Sequence, residues 1–281
     1  MAQQIHWFPG HMKKALNEIE AKIKLVDIVI EILDARAPKS SLNPEFEKRI
    51  QNKKRIVVFS KADLADPIDT EKWAAEFKKN GVSLLILNLN DPKSQTVIAN
   101  EVSRLGAEKH QKEIAKGMRP QPIKAMIIGV PNVGKSSLIN RLAKRNAAGV
   151  QNKPGYTRGE QYIKVNKDFI LLDTPGVLPM NYDDHQKSIN LALLGSIRED
   201  ILPNDELAIY LLKFLNKHYP DALKERFDVN DTSDFSMVMD QICKRRGLIT
   251  SGNYDLERAY ILLLKEFKEG KLGRITLEKL A

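Results

Sequence analysis

From Val26 to Leu33 the chain carries a nearly unbroken run of β-branched and other apolar residues. Similar short runs recur at Arg55 to Phe59, Val82 to Leu87 and Ile123 to Ile128. Continuous rather than alternating apolar positions predict strands covered on both faces, which means a mostly parallel sheet between layers of helix. Helical patterns fill the gaps: near Asn43 to Gln51, near Asp69 to Lys79 before the stop signal Asn80-Gly81, from Ser94 to Lys116 before Gly117, and from Lys135 to Lys144. Gln161 to Val165 and Asp168 to Leu172 stand close enough for a hairpin turning at Asn166-Lys167. Ahead of all this, residues 5 to 24 read as a Pro-Gly turn and a helix. From about Gln186 the pattern changes to helical spacing alone, at Leu207 to Leu215, Met237 to Cys243 and Leu256 to Phe267, punctuated by Pro203, Pro220 and Gly252. The expected organisation is an N-terminal extension (1–24), an α/β domain (25–185) and a small all-helical domain (186–281).

Composition narrows the class. With 281 residues, 42% apolar and 29% charged, the chain is long enough to bury a sizeable core. No apolar run approaches the ~20 residues of a membrane span. The first residues lack the basic segment and long apolar stretch of a secretory signal. One cysteine, Cys243, allows no internal disulfide and suits a reducing compartment, so a cytoplasmic protein is expected, and a monomer is expected beside it. The five histidines show no metal-ligand spacing. Net charge is +9, but residues 198–281 carry 14 Lys/Arg against 15 Asp/Glu, leaving 31 against 21 before them. That surplus fits a polyanionic partner such as RNA, or simply a solvated lysine-rich surface.

The chemistry lies in loops that follow the apolar runs. Gly129-x4-Gly134-Lys135-Ser136 fits the phosphate-loop pattern, after a strand and before a helix. Its glycines let backbone N–H groups of Val133, Gly134, Lys135, Ser136 and Ser137 approach phosphates. Lys135 neutralises the β/γ oxygens, Ser136 offers a hydroxyl to Mg²⁺, and the helix N-terminus favours negative charge. Asp173-Thr174-Pro175-Gly176 follows the strand Phe169 to Leu172. There Asp173 would hold Mg²⁺ through water and the Gly176 N–H would sense the γ-phosphate. Thr157, in the polar stretch between them, is the candidate Mg²⁺ and γ-phosphate sensor of a first switch; a plain surface loop is the alternative. Ser60-Lys61-Ala62-Asp63 suits guanine, because the Asp63 carboxylate can accept from N1–H and the 2-amino group while the Lys61 stem covers the ring. Asn88-Leu89-Asn90 ends another strand and would back the base.

The base motif precedes the phosphate loop. In that order, with Trp7-Phe8-Pro9-Gly10-His11-Met12 and Asp34-Ala35-Arg36-Ala37-Pro38, the whole chain resembles the circularly permuted GTPases of the ribosome biogenesis GTPase A family. The resemblance implies a permuted P-loop GTPase domain with a helical RNA-binding tail, GTP and GDP as ligands, and a role in late assembly of the large ribosomal subunit. It assigns His11 as the catalytic histidine and Asn132 as a K⁺ ligand near the phosphates, beside Mg²⁺. It points to Lys244, Arg245, Arg246, Lys271 and Arg274 as RNA contacts. Val177 stands where Ras-like proteins keep a water-orienting Gln, so hydrolysis needs other help. One departure is Ser60, where the family has Asn: a hydroxyl reaches less far, which bears on nucleotide affinity more than on base choice. A nucleotide-dependent RNA-binding scaffold is the alternative reading.

Overall fold

The computed structural model describes residues 10–50, 53–144, 162–172, 185–197, 202–230, 232 and 234–280. For residues 10–15, 143, 144 and 162 it describes the backbone alone. Six strands form one sheet: β1 (Ile28–Asp34), β2 (Lys54–Ser60), β3 (Ser83–Ile86), β4 (Ile123–Ile128), β5 (Tyr162–Lys164) and β6 (Phe169–Leu172), in the order β3-β2-β1-β4-β6-β5. All neighbours are parallel except the edge strand β5, which pairs antiparallel with β6 as the hairpin reading expects. Every residue of β1 is buried, the signature of a central strand covered on both faces.

Two apolar layers cover the sheet. Leu33, Val57 and Phe59 pack with Trp73 and Ala74 of α4 (Pro67–Lys79), where Phe59 meets Phe77 edge to face at 5.2 Å. Ile30, Ile32, Ile56 and Val58 belong to the larger core with Ile98 and Val102 of α5 (Lys93–Ala115). Helix α4 starts two residues earlier than its apolar spacing suggests. Asp66 caps it, accepting from the Ile68 N–H at 2.8 Å, and Pro67 takes the first position, where its missing N–H costs nothing. A single turn, α2 (Pro38–Ser41), precedes α3 (Pro44–Ile50) and is too short for any periodicity to announce.

The topology positions the site. The chain runs outward from β1 to β2 to β3, and α5 then carries it back to β4 on the other side of β1. Parallel sheets take ligands at the carboxyl ends of their strands where the winding reverses, here between β1 and β4. Gly106 lets α5 lie tight on β4: a Cβ there would stand 2.5 Å from Ile123 Cγ1. After β4 comes α6 (Lys135–Lys144). The N-terminal helix α1 (Gly10–Ile23) is anchored rather than loose, with Leu16, Ile19 and Ile23 buried in the main core.

The C-terminal region is helical as expected: α7 (His185–Leu193), α8 (Asn204–His218), α9 (Asp221–Phe227), α10 (Phe235–Arg246) and α11 (Leu256–Lys268). One correction applies to the all-helical expectation. Ile249–Thr250 and Asn253–Tyr254 pair as β7 and β8, turned by Ser251 and Gly252, both at positive φ. Glu266 of α11 ties three helices together: Arg226 grips it with two bonds of 2.8 Å, and Arg246 adds a third at 3.2 Å while lying over the Phe227 ring. After α11 the chain leaves its own domain, and residues 274–280 run back across the α/β domain as an irregular strap.

Candidate functional site

The phosphate loop sits at the end of β4. Gly129 has φ 151°, and a Cβ on it would lie 2.5 Å from Ile32 O, so no other residue lets the loop pass this close to β1. Lys135 is almost wholly buried and its ammonium donates to Val130 O. Burial pushes its pKa down to about 8, since desolvation disfavours the charged form. A phosphate group would compete for this ammonium and push its pKa back up. Ser136 and Ser137 are exposed at the first turn of α6, where the helix dipole favours an anion. Val133 is buried and Gly134 lies against Leu89.

Asn132 holds a left-handed conformation, φ 61°, and its side-chain amide donates to Gly195 O just beyond α7. That bond uses the nitrogen, so the acceptor Oδ1 is the atom a K⁺ ion would take. Ser196 Oγ donates to Pro131 O at 2.8 Å, so the segment after α7 grips the phosphate loop twice.

Ser60-Lys61-Ala62-Asp63 closes β2, next to that loop. The Ser60 hydroxyl is fully buried and lies 2.9 Å from Leu33 O and 2.8 Å from Val133 O, where it can donate to either. It thus braces the base loop against both β1 and the phosphate loop. Ala62 N donates to Leu87 O at 3.4 Å, bringing the Asn88-Leu89 loop alongside; Asn88 Oδ1 accepts from Asn90 N, and Leu89 is buried. The Asp63 carboxylate is exposed.

Lys61, at φ 54°, does something no local pattern reveals. Its ammonium pairs with Asp34 at 2.9 Å. Asp34, fully buried at the end of β1, also takes two bonds from the Arg36 guanidinium, at 3.0 and 2.9 Å. Burial alone would raise the Asp34 pKa, but Arg36 and then Lys61 outweigh it and hold the carboxyl well below the usual range. Arg36 in turn donates to Lys268 O at the end of α11 and lies over the Phe267 ring. The Asp34-Ala35-Arg36 motif is therefore a buried charge cluster joining the base loop to the helical domain. Two charged residues at the end of an apolar strand were its sequence signal.

Thr157, Asp173 and Gly176 lie outside the described residues, as does the side chain of His11, whose backbone begins α1. Of the expected RNA contacts, Lys244 and Arg245 are exposed, and Arg245 comes within 3.9 Å of Asp228. Lys271 pairs with Glu269 at 2.6 Å. Arg246 and Arg274 are exposed too and also bond within the molecule: Arg246 holds Glu266, and Arg274 donates to Ala62 O and Ala65 O, both at 2.9 Å.

A basic and aromatic surface escaped the sequence reading. On α8, Tyr210, Phe214 and His218 line a cavity of about 350 Å³ together with Lys213, Lys217 and Lys279. Phe214 lies 4.7 Å from the His218 ring. Burial, then Lys217 and Lys279, depress the His218 pKa, which favours the neutral ring. The i, i+4, i+8 spacing of Tyr210, Phe214 and His218 was the available signal.

No helix among the described residues is long and apolar enough to cross a membrane. A family model of 50S ribosome-binding GTPases matches residues 124–233. The ribosome biogenesis GTPase A of Bacillus cereus is 45% identical over 98% of this chain and 93% of its own length. That of Thermotoga maritima is 29% identical over 97% and 94%. A crystal structure of GNP-bound YlqF from T. maritima superposes with a TM-score of 0.67 at 26% identity, covering 95% of this chain and 98% of that one. With a phosphate loop and the Ser60–Asp63 loop side by side at the switch point of a permuted sheet, and with kinship along nearly the whole length, the chain belongs to the ribosome biogenesis GTPase A family and hydrolyses GTP.

Proposed function

We propose that this GTPase binds the immature large ribosomal subunit in its GTP form, promotes late assembly in the cytoplasm, and leaves after hydrolysis as a monomeric GDP form. The observation that supports the reading is the double grip of Gly195 and Ser196 on the phosphate loop, which links that loop to the C-terminal helices that we take to bind RNA. Loss of the γ-phosphate can then bias how that region sits on RNA.

The division of labour follows from residue chemistry. Backbone N–H groups from Val133 to Ser137 and the Lys135 ammonium carry the phosphates, and Asp63 reads guanine while Lys61 covers it. Ser136, Thr157 and Asp173 are all oxygen donors, which suits a hard cation, and Ser136 stands exposed beside Lys135 where phosphate oxygens would lie. When bound there, Mg²⁺ neutralises charge on the β and γ oxygens. Asn132 Oδ1 would contribute to a K⁺ site. Thr157 and the Gly176 N–H report the γ-phosphate. His11 orients the attacking water that Val177 cannot, so turnover is slow until RNA sets the histidine in place. On the RNA side, exposed Lys244 and Arg245 join the α8 surface, where Phe214 and His218 offer rings for an unstacked base and Lys213 and Lys217 meet phosphates.

The test is GTP hydrolysis in potassium and sodium buffers, with and without purified large subunits. Stimulation by the subunit, greater in potassium and abolished in His11→Ala, is the expected result. Tight GTP binding with no stimulation would leave nucleotide as a structural cofactor of an RNA-binding scaffold.

A further inference from the structure

The base loop is held from outside by the C-terminal strap. Over five residues, four backbone groups of the loop find partners there. Arg274 donates to Ala62 O and Ala65 O, both at 2.9 Å, and Ile275 N donates to Leu64 O at 3.0 Å. Asp66 N donates to Thr276 Oγ1 at 3.1 Å. Asp63 therefore stands between two residues, Ala62 and Leu64, whose carbonyls are both fixed by the strap. Lys61 beside it is left-handed, a conformation a lysine keeps only where its surroundings impose it.

The strap is itself firmly seated. Leu277 N donates to Arg36 O at 2.7 Å, and Glu278 O accepts from Trp73 Nε1 at 2.9 Å. The Glu278 carboxylate takes the Lys39 and Ser40 N–H groups at 2.7 and 2.8 Å, the Ser40 hydroxyl and the Asn190 amide. Leu280 packs into the layer under α4. One end of the strap follows α11, whose last carbonyl, Lys268 O, already engages Arg36 of the Asp34–Arg36–Lys61 cluster. The base loop is thus tied to the chain after α11 through the strap, and to the end of α11 through the Lys61–Asp34–Arg36 cluster.

We propose that residues 274–278 form a clamp that sets guanine-nucleotide affinity, with Arg274 as a positioning residue for Asp63. The proposal rests on the reading of Ser60–Asp63 as the guanine loop. The clamp acts through the loop backbone and touches no nucleotide. Undocked, the carbonyls of Ala62, Leu64 and Ala65 bond to water, the loop samples other conformations, and only the fraction with Asp63 in place binds guanine. By linkage, bound nucleotide must hold the strap down by the same factor.

The test uses the full chain and fluorescently labelled GDP. Arg274→Ala is expected to release GDP about tenfold faster, and Arg274→Lys, which keeps the charge but reaches one carbonyl, to fall between. Circular dichroism and a urea midpoint without nucleotide identify folded variants: a merely structural arginine would move the midpoint and leave the release rate alone. The unmutated protein supplies an independent arm, since saturating GDP should slow hydrogen exchange at the Ile275 and Leu277 amides. Asp63→Asn, which replaces a guanine acceptor with a donor, separates the two levels. If Asp63→Asn loses GDP while folded Arg274→Ala releases it within twofold of the parent rate, or if exchange at Ile275 and Leu277 ignores GDP, the clamp is overturned and the guanine loop stands. If Asp63→Asn binds GDP unchanged, the guanine loop reading falls and takes the clamp with it.

Discussion

The two loops that meet at the switch point are built on different plans. The phosphate loop takes its turn from local sequence: β4, Gly129, the left-handed Asn132 and α6 form one continuous strand–turn–helix, and Lys135 finds its carbonyl five residues away, with bonds to Ser60, Gly195 and Ser196 added from outside. The base loop owes its shape to distant parts of the chain, to Asp34 and Arg36 before it and to residues 274–276 far after it. Binding phosphate asks for converging N–H groups, which a helix N-terminus supplies locally. Reading a base asks for one carboxylate at one place, and a short loop holds it only when braced.

The contrast can be broken most forcefully at Asp34. Asp34→Asn leaves Arg36 and Lys61 buried or half-buried without their counter-charge, and unfolding stability should drop by about 3–5 kcal/mol in urea titrations. A loss under about 1 kcal/mol would mean that the base loop does not depend on the cluster.

Glu31, deep in β1, separates pairing from burial. Its neighbours are Arg55 of β2 and, more weakly, Glu47 of α3; among the described residues Glu31 Oε1 and Arg55 Nε have no hydrogen-bond partner. Burial, only partly offset by Arg55, pushes the Glu31 carboxyl up to about 7 from an ordinary 4.5. The folded state therefore favours the protonated acid. Its contribution is complete below about pH 4.5 and lost as pH rises through 7, up to about 3 kcal/mol. Glu31→Gln should flatten that part of the stability profile; an unchanged slope between pH 5 and 8 would sink the assignment.

Lys135→Ala sharpens the other side. GDP affinity should fall about 100-fold, while the urea midpoint stays within about 1 kcal/mol of the parent because the ammonium serves the ligand more than the fold. An equal loss of stability would make Lys135 a structural residue. The smallest effect is expected at Ser60, whose side chain joins both loops. Ser60→Ala should cost about 1–2 kcal/mol and weaken GDP severalfold, and a variant with unaltered affinity would show that the brace is dispensable.

What the amino-acid pattern reveals divides along the same line. Strands β1 to β4, helix α6 and the β5–β6 hairpin were legible because a strand buried on both faces, or a helix after a glycine loop, writes its character into consecutive residues. Turn α2 and the β7–β8 hairpin were too short to establish a period. Arg274 shows the deeper limit. Lys271-Leu272-Gly273-Arg274 reads as a basic surface patch, and Lys271 and Arg274 are exposed, but nothing local announces that Arg274 also donates to carbonyls more than 200 residues earlier. The Asp34-Ala35-Arg36 motif was visible as a family mark, but its partners, Lys61 and the end of α11, emerge only from the folded chain.

The strap also dictates a schedule. Ser60 to Asp63 leave the translating ribosome roughly 210 residues ahead of Arg274 to Glu278. At elongation rates of about 5–20 residues per second, the base loop waits on the order of 10–40 s for its last contacts. The α/β sheet can form on the nascent chain while the protein that makes it is still tethered. The Ser60–Asp63 loop takes its final form only once the strap has emerged, so a factor devoted to building ribosomes waits on one for its own completion.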